Sequence, residues 1–101
     1  QLSTPEAKLT IGQGETGSFV VKHRVFSSYD FETTFSVEGL PDNSSLSYSP
    51  SNPVTINSDG ELTIEITVPD TAEAKSYPLI INATAAGQTI ESVVINLEIL
   101  K

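Results

Sequence analysis

The sequence predicts an all-β chain folded as an antiparallel two-sheet sandwich of about seven strands, and three observations carry that prediction. Apolar and polar residues alternate in short runs, turn-forming residues interrupt the runs at intervals of about ten positions, and no segment keeps a helical period. A chain of 101 residues, 38% of them apolar, suits one domain with a single core. The expected boundaries are a linker over residues 1–5 and one sandwich domain over residues 6–101. The chain opens on Gln1 rather than Met, which reads as a segment of a longer polypeptide.

Leu9 and Ile11 begin the alternation, and Gly12-Gln13-Gly14-Glu15-Thr16-Gly17 turns the chain. Phe19, Val21, His23 and Val25 then share one face, with Lys22 and Arg24 on the other. After a break at Ser27-Ser28-Tyr29-Asp30, the residues Phe31, Thr33, Phe35 and Val37 alternate with Glu32, Thr34, Ser36 and Glu38. A short strand is expected around Leu46 and Tyr48, and a brief extended piece at Val54 and Ile56. Asn57-Ser58-Asp59-Gly60 is a turn signal, because Asp-Gly tolerates the positive φ of tight turns. Leu62, Ile64, Ile66 and Val68 alternate without a fault against polar neighbours. The polar crossover 69–76 has room for one helical turn over Ala72–Lys75. Tyr77, Leu79, Ile81 and Ala83 form the next inward face, and Val93, Ile95, Leu97 and Ile99 the last. Ile90 is out of phase with that set, which places a bulge near Glu91–Ser92.

Composition excludes several functions. Thirteen acidic against five basic residues give a net charge of −8, a field that repels nucleic acid phosphates and anionic membranes. No run approaches the roughly 18 apolar residues a spanning helix needs, so no membrane insertion is expected. Cysteine is absent, which removes disulfides, thiolate metal sites and cysteine nucleophiles together. A catalytic triad needs a histidine base, and the sole histidine, His23, falls on the core face, where a packed imidazole with one satisfied hydrogen bond is expected. Glu61 and Glu65 lie on the outward face of one strand and read as solvated. No enzyme activity and no cofactor are expected.

Two ligand classes stay open. Calcium takes oxygen ligands, and the loops carry Asp30, Asp42, Asp59 and Asp70, which would form a weak site if the turns converge. Carbohydrate recognition needs exposed rings beside polar groups; Tyr29 and Tyr48, near strand ends, are the candidate platforms.

Tyr77 opens its strand directly after a polar crossover, where immunoglobulin-like sandwiches hold a corner tyrosine whose hydroxyl bonds back to the preceding loop. Where that family has a cysteine two residues later this chain has Leu79, and in place of the family's tryptophan the nearest residue is Phe35. The antibody class is thereby excluded. A longer set of segments comprises Phe35-Ser36-Val37-Glu38-Gly39-Leu40-Pro41, Tyr48-Ser49-Pro50, Leu62-Thr63-Ile64, Ser76-Tyr77-Pro78-Leu79-Ile80-Ile81-Asn82-Ala83-Thr84-Ala85 and Val94-Ile95-Asn96-Leu97-Glu98-Ile99. Together they resemble the immunoglobulin-like or fibronectin-III-like accessory modules of secreted bacterial proteins, such as the non-catalytic domain of reprolysin-like zinc metallopeptidases from Bacteroidetes-type bacteria. That resemblance covers residues 6–100. It implies a secreted or cell-surface bacterial module whose partners are neighbouring domains of the same polypeptide, attached to a hydrolase such as a metallopeptidase. The competing expectation is an independent binding module, either glycan-binding or an adhesin repeat with a protein ligand. The residues expected to hold the fold are Tyr77, Phe35, Leu62, Ile64, Leu79 and Ile81.

Overall fold

The computed structural model describes residues 2–4, 7–23, 31–49, 52–56, 60–85 and 88–101. Among the described residues nine strands follow one another: β1 (Leu2–Ser3), β2 (Lys8–Gly12), β3 (Thr16–His23), β4 (Phe31–Glu38), β5 (Ser45–Ser49), β6 (Val54–Ile56), β7 (Gly60–Thr67), β8 (Ser76–Ala85) and β9 (Gln88–Leu100). Seven of them have five residues or more. One sheet has the order β1-β3-β7-β5 and the other β2-β9-β8-β4-β6. No helix occurs among the described residues; at 69–72 the chain makes a turn closed by Ala72 N–H donating to Pro69 O at 3.1 Å, where a helical turn was expected over 72–75.

Period-two alternation becomes burial. On β7, Leu62, Ile64 and Ile66 are fully buried while Glu61 and Glu65 face solvent. Phe35, Leu79, Ile81, Ile95, Leu97 and Ile99 meet them from the second sheet to form one core, with Leu9, Leu46, Tyr48 and Tyr77 packed at its margin. Interdigitation of inward residues between two layers is what a sandwich of this composition can bury.

Two features depart from the expectations and a third agrees with them. The linker expected over 1–5 contributes β1, whose Leu2 and Ser3 pair antiparallel with His23 and Lys22. The sheets are not purely antiparallel, because β2 runs parallel to β9 from Lys8↔Asn96 to Gly12↔Leu100. The bulge expected near Glu91–Ser92 is present: Ala83 faces Glu91 and Thr84 faces Thr89, so the extra residue is Ile90. Ala83 stays buried across the break, so the bulge keeps the inward faces of both flanking stretches in phase.

The body measures 46 × 22 × 21 Å. Because Leu100 lies beside Gly12, the β2–β3 turn and the end of β9 share one pole. The β4–β5 and β7–β8 connections reach the same pole, since Ser45 and Thr16 both oppose Thr67. Leu2 pairs with His23, which in turn faces Gly60, at the other pole. Leu2 and Leu100 therefore lie at opposite ends of the paired strands.

Candidate functional site

The pole at the end of β9 is knitted by backbone and side-chain hydrogen bonds. Gln13 N–H donates to Leu100 O at 2.9 Å, Val68 N–H to Glu15 O at 3.1 Å and Ile99 N–H to Lys75 O at 3.0 Å. The Gln13 side chain reaches across to Ala72 O at 2.7 Å. These ties fix the 68–75 connection, one wall of an open cleft of about 460 Å³ lined by Gly39, Leu40, Pro41, Asp42, Asn43, Thr71, Glu73 and Tyr77.

One wall is the 39–43 turn. Gly39 has φ +99°, and a Cβ there would run into the Pro78 carbonyl oxygen, so only glycine lets the chain leave β4 this close to β8. Asn43 adopts φ 65°, a left-handed conformation its short amide tolerates, and Ser44 Oγ closes the turn by donating to Pro41 O at 2.8 Å. The other wall is the crossover before β8, where the Tyr77 hydroxyl donates to Glu73 O at 2.9 Å. The Lys75 ammonium stands 5.1 Å over the Tyr77 ring and 3.8 Å from the Glu73 carboxylate. Asp42 and Glu73 thus give the cleft an acidic rim. Tyr77 is its only aromatic residue among the described residues.

Among the sequence candidates, Asp42 lines this cleft, while Asp70 sits at the same pole with its Cβ against Gly14. Asp30, Asp59 and Tyr29 lie outside the described residues. No group of three or more His, Cys, Asp or Glu side chains suited to a metal ion occurs among the described residues. Tyr48 is not in the cleft; it packs against the core margin from β5, and burial raises its phenol above the ordinary value of 10.0. His23 is buried on β3 at the opposite pole, and its Nδ1 has no hydrogen-bond partner among the described residues. The distance between poles separates that imidazole from the cleft, so the cleft has no histidine base.

The cleft residues Leu40, Pro41 and Thr71 carry no chemical signal in the sequence, because they become neighbours only through the sheet order. Asn52 is a second feature that escaped notice. Its amide accepts from Phe35 N–H at 2.9 Å and donates to Phe35 O at 2.8 Å, reproducing a strand's hydrogen bonding on the edge of β4 beyond the three residues paired by β6.

The fold and the pole define an immunoglobulin-like β-sandwich module. No sequence-family model matches the chain, and no curated protein matches it. Solved structures do. Domains 4 and 5 of the S-layer protein SbsC align over 100% of this chain and 51% of theirs, with TM-score 0.69 and 12% identity. The SrpA adhesin of Streptococcus sanguinis (R347E mutant) aligns over 99% of this chain and 56% of its own, with TM-score 0.65 and 18% identity. The sialic acid binding region of the Streptococcus sanguinis SK1 adhesin, bound to 3'sLn, aligns over 98% and 29%, with TM-score 0.54 and 16% identity. The chain spans about half the length of the first two. At such identities the shared property is the fold.

Proposed function

We propose that this domain is a non-catalytic accessory module that spaces neighbouring domains in a secreted or cell-surface bacterial protein. The observation that carries the reading is the placement of Leu2 and Leu100 at opposite ends of the paired strands, which suits a short rod placed between neighbours. The likeness to S-layer and adhesin domains supports the same setting. A hydrolase such as a zinc metallopeptidase is the neighbour the sequence resemblance favours. The test is excision of residues 1–101 from the parent protein, read by small-angle scattering and by turnover. The separation of the flanking domains should shorten by about 20–30 Å, the span from Leu2 to Leu100 along the paired strands, with turnover of a small soluble substrate unchanged. Loss of that turnover would assign the domain a part in the chemistry.

A second reading, glycan recognition, is favoured by one observation: the cleft joins an aromatic ring to polar side chains, as sugar sites do. The sialic-acid-binding adhesin region of similar fold supports it. A glycan array on the domain decides it: a specific sugar response, lost in Tyr77→Ala but kept in a variant away from the cleft, replaces the spacer reading.

A further inference from the structure

We infer that the open edge of β5 takes up an extended, basic segment of another protein as a fifth strand of its sheet. The inference goes beyond the spacer reading and uses neither the cleft nor the distance between the ends. Four strands lie outermost in the two sheets, β1 and β5 in one, β2 and β6 in the other. An outermost strand presents unpaired backbone groups to any passing chain, and proteins blunt it by shortness, charge or a cover. Strand β1 has two residues and β6 three. On β2, Lys8 sets its ammonium against Glu98 of the neighbouring strand. Beyond β6, the Asn52 amide covers the backbone of Phe35. Strand β5 has no such guard: its five residues, Ser45-Leu46-Ser47-Tyr48-Ser49, hold no charge and no proline.

Which backbone groups stand open follows from the register. Val68, one residue past β7, donates its N–H to Glu15 O at 3.1 Å, so the even-numbered residues of β7 turn their backbone groups to β3. The odd-numbered ones therefore bond β5, where Thr67, Glu65 and Thr63 oppose Ser45, Ser47 and Ser49. That leaves the N–H and C=O of Leu46 and Tyr48 pointing away from the sheet, two donors and two acceptors in a row. An antiparallel newcomer satisfies all of them, since each residue of a hydrogen-bonded pair exchanges both its groups with the residue opposite.

The side chains on the two faces state what the newcomer must carry. Leu46 and Tyr48 are half-buried at the margin of the core, so apolar residues placed opposite them extend that margin. Ser47 points to solvent on the other face, and its Oγ donates to Glu65 Oε1 at 3.4 Å, so the carboxylate leans toward the open edge. Glu65 has no cationic partner among the described residues. Strands lie about 4.8 Å apart, so a Lys or Arg opposite Ser47 starts about 10 Å from the backbone of Glu65, a gap the two long side chains close together. Asp42, just ahead of β5, adds a second negative charge on this side. A second copy of the chain is the wrong occupant, because each copy has a net charge of −8 and would bring Glu65 toward its own counterpart. The partner segment therefore alternates apolar and basic residues.

Amide exchange read by NMR on the 101-residue chain tests this. In the free protein the amides of Leu46 and Tyr48 should exchange fast, while those of Ser47 and Ser49 are protected. Saturation with the peptide Val-Lys-Val-Lys-Val should slow exchange at Leu46 and Tyr48 by about tenfold or more, and at no other edge. Val-Val-Lys-Lys-Val has the same composition and charge without the alternation, and should leave both amides fast, as should Val-Glu-Val-Glu-Val. Ser47 is exposed, so its substitution spares the core. Ser47→Lys should weaken binding of the alternating lysine peptide about two- to five-fold and Ser47→Glu strengthen it by a similar factor, the scale of exposed cross-strand charge pairs. Protection at another edge, an equal response to the two lysine peptides, or indifference to both variants would overturn the proposal. Self-association in sedimentation, with Leu46 and Tyr48 protected before any peptide is added, would assign the edge to a second copy and overturn it equally. None of these results bears on the distance between the ends, so the spacer reading stands or falls separately.

Discussion

The Asn52 amide offers the sharpest test of how the second sheet is closed. Strand β6 covers β4 only from Phe31 to Thr33, and beyond it the backbone of Phe35 is satisfied by a side chain instead of a strand. Asn52→Ala removes an acceptor and a donor at once. Each bond is part-buried, and Phe35 is only 1% exposed, so water replaces the lost partners poorly. A net bond contributes about 1 kcal/mol and an abandoned buried group costs about 1–3 kcal/mol, which puts the loss near 2–3 kcal/mol. In urea, with a slope of about 1 kcal/mol/M for a chain of this size, the midpoint should fall by about 2 M with the slope unchanged. Asn52→Asp keeps the acceptor but sets a carboxylate against Phe35 O, so it should be at least as destabilising near neutrality. Protonation restores a donor, so Asn52→Asp should regain stability relative to Asn52→Ala as the pH falls below about 4. A midpoint for Asn52→Ala within about 0.5 kcal/mol of the parent would refute the reasoning, since both groups would then be satisfied without the amide.

Three other outcomes follow from the same geometry. Gly39→Ala forces a left-handed conformation on a residue with a Cβ and drives that carbon into the Pro78 carbonyl, so thermal or urea unfolding should show a loss of about 2–3 kcal/mol. Tyr77→Phe keeps the ring and deletes only the bond to Glu73 O, which is solvent-exposed, so the same assay should register about 0.5–1 kcal/mol. For Tyr48, burial raises the folded-state pKa, so the folded protein holds its phenolic proton longer than the unfolded chain. Its contribution is fully present below the unfolded value near 10 and is lost as pH rises through the folded one. Tyr48→Phe should therefore decline less steeply than the parent above about pH 10, and parallel alkaline limbs would refute the placement of this phenol.

Much of the fold was legible because it is local. The alternation through Leu62, Ile64, Ile66 and Val68 states which side chains go inward whatever partner β7 takes, and those four are the ones the core encloses. Tyr77 after a polar crossover likewise carried its own geometry, and its hydroxyl is bonded four residues back. Strand direction is another matter. Leu9 and Ile11 alternate identically whether β2 runs with β9 or against it, and the choice is made by the routing of the whole chain. The phase fault at Ile90 announced a bulge, but alternation alone could not say which residue was extruded, because that depends on the register of β8 opposite. The cleft was less legible still. It is assembled from two connections about thirty residues apart, and Leu40, Pro41 and Thr71 acquire their meaning only at the shared pole. Asn52 looked like a loop residue before a proline, since an amide that imitates a strand has no pattern of its own.

The spacer reading depends on the two ends of the domain lying at opposite poles. Spin labels at Ser3→Cys and Lys101→Cys in this cysteine-free chain, read by pulsed dipolar spectroscopy, measure that directly. A single narrow distribution at about 20–30 Å is the expected result, since Ser3 lies opposite Lys22, at the far end of β3 from the pole where Lys101 follows Leu100. A distribution centred below about 15 Å would put both ends at one pole, and the spacer reading would not survive it.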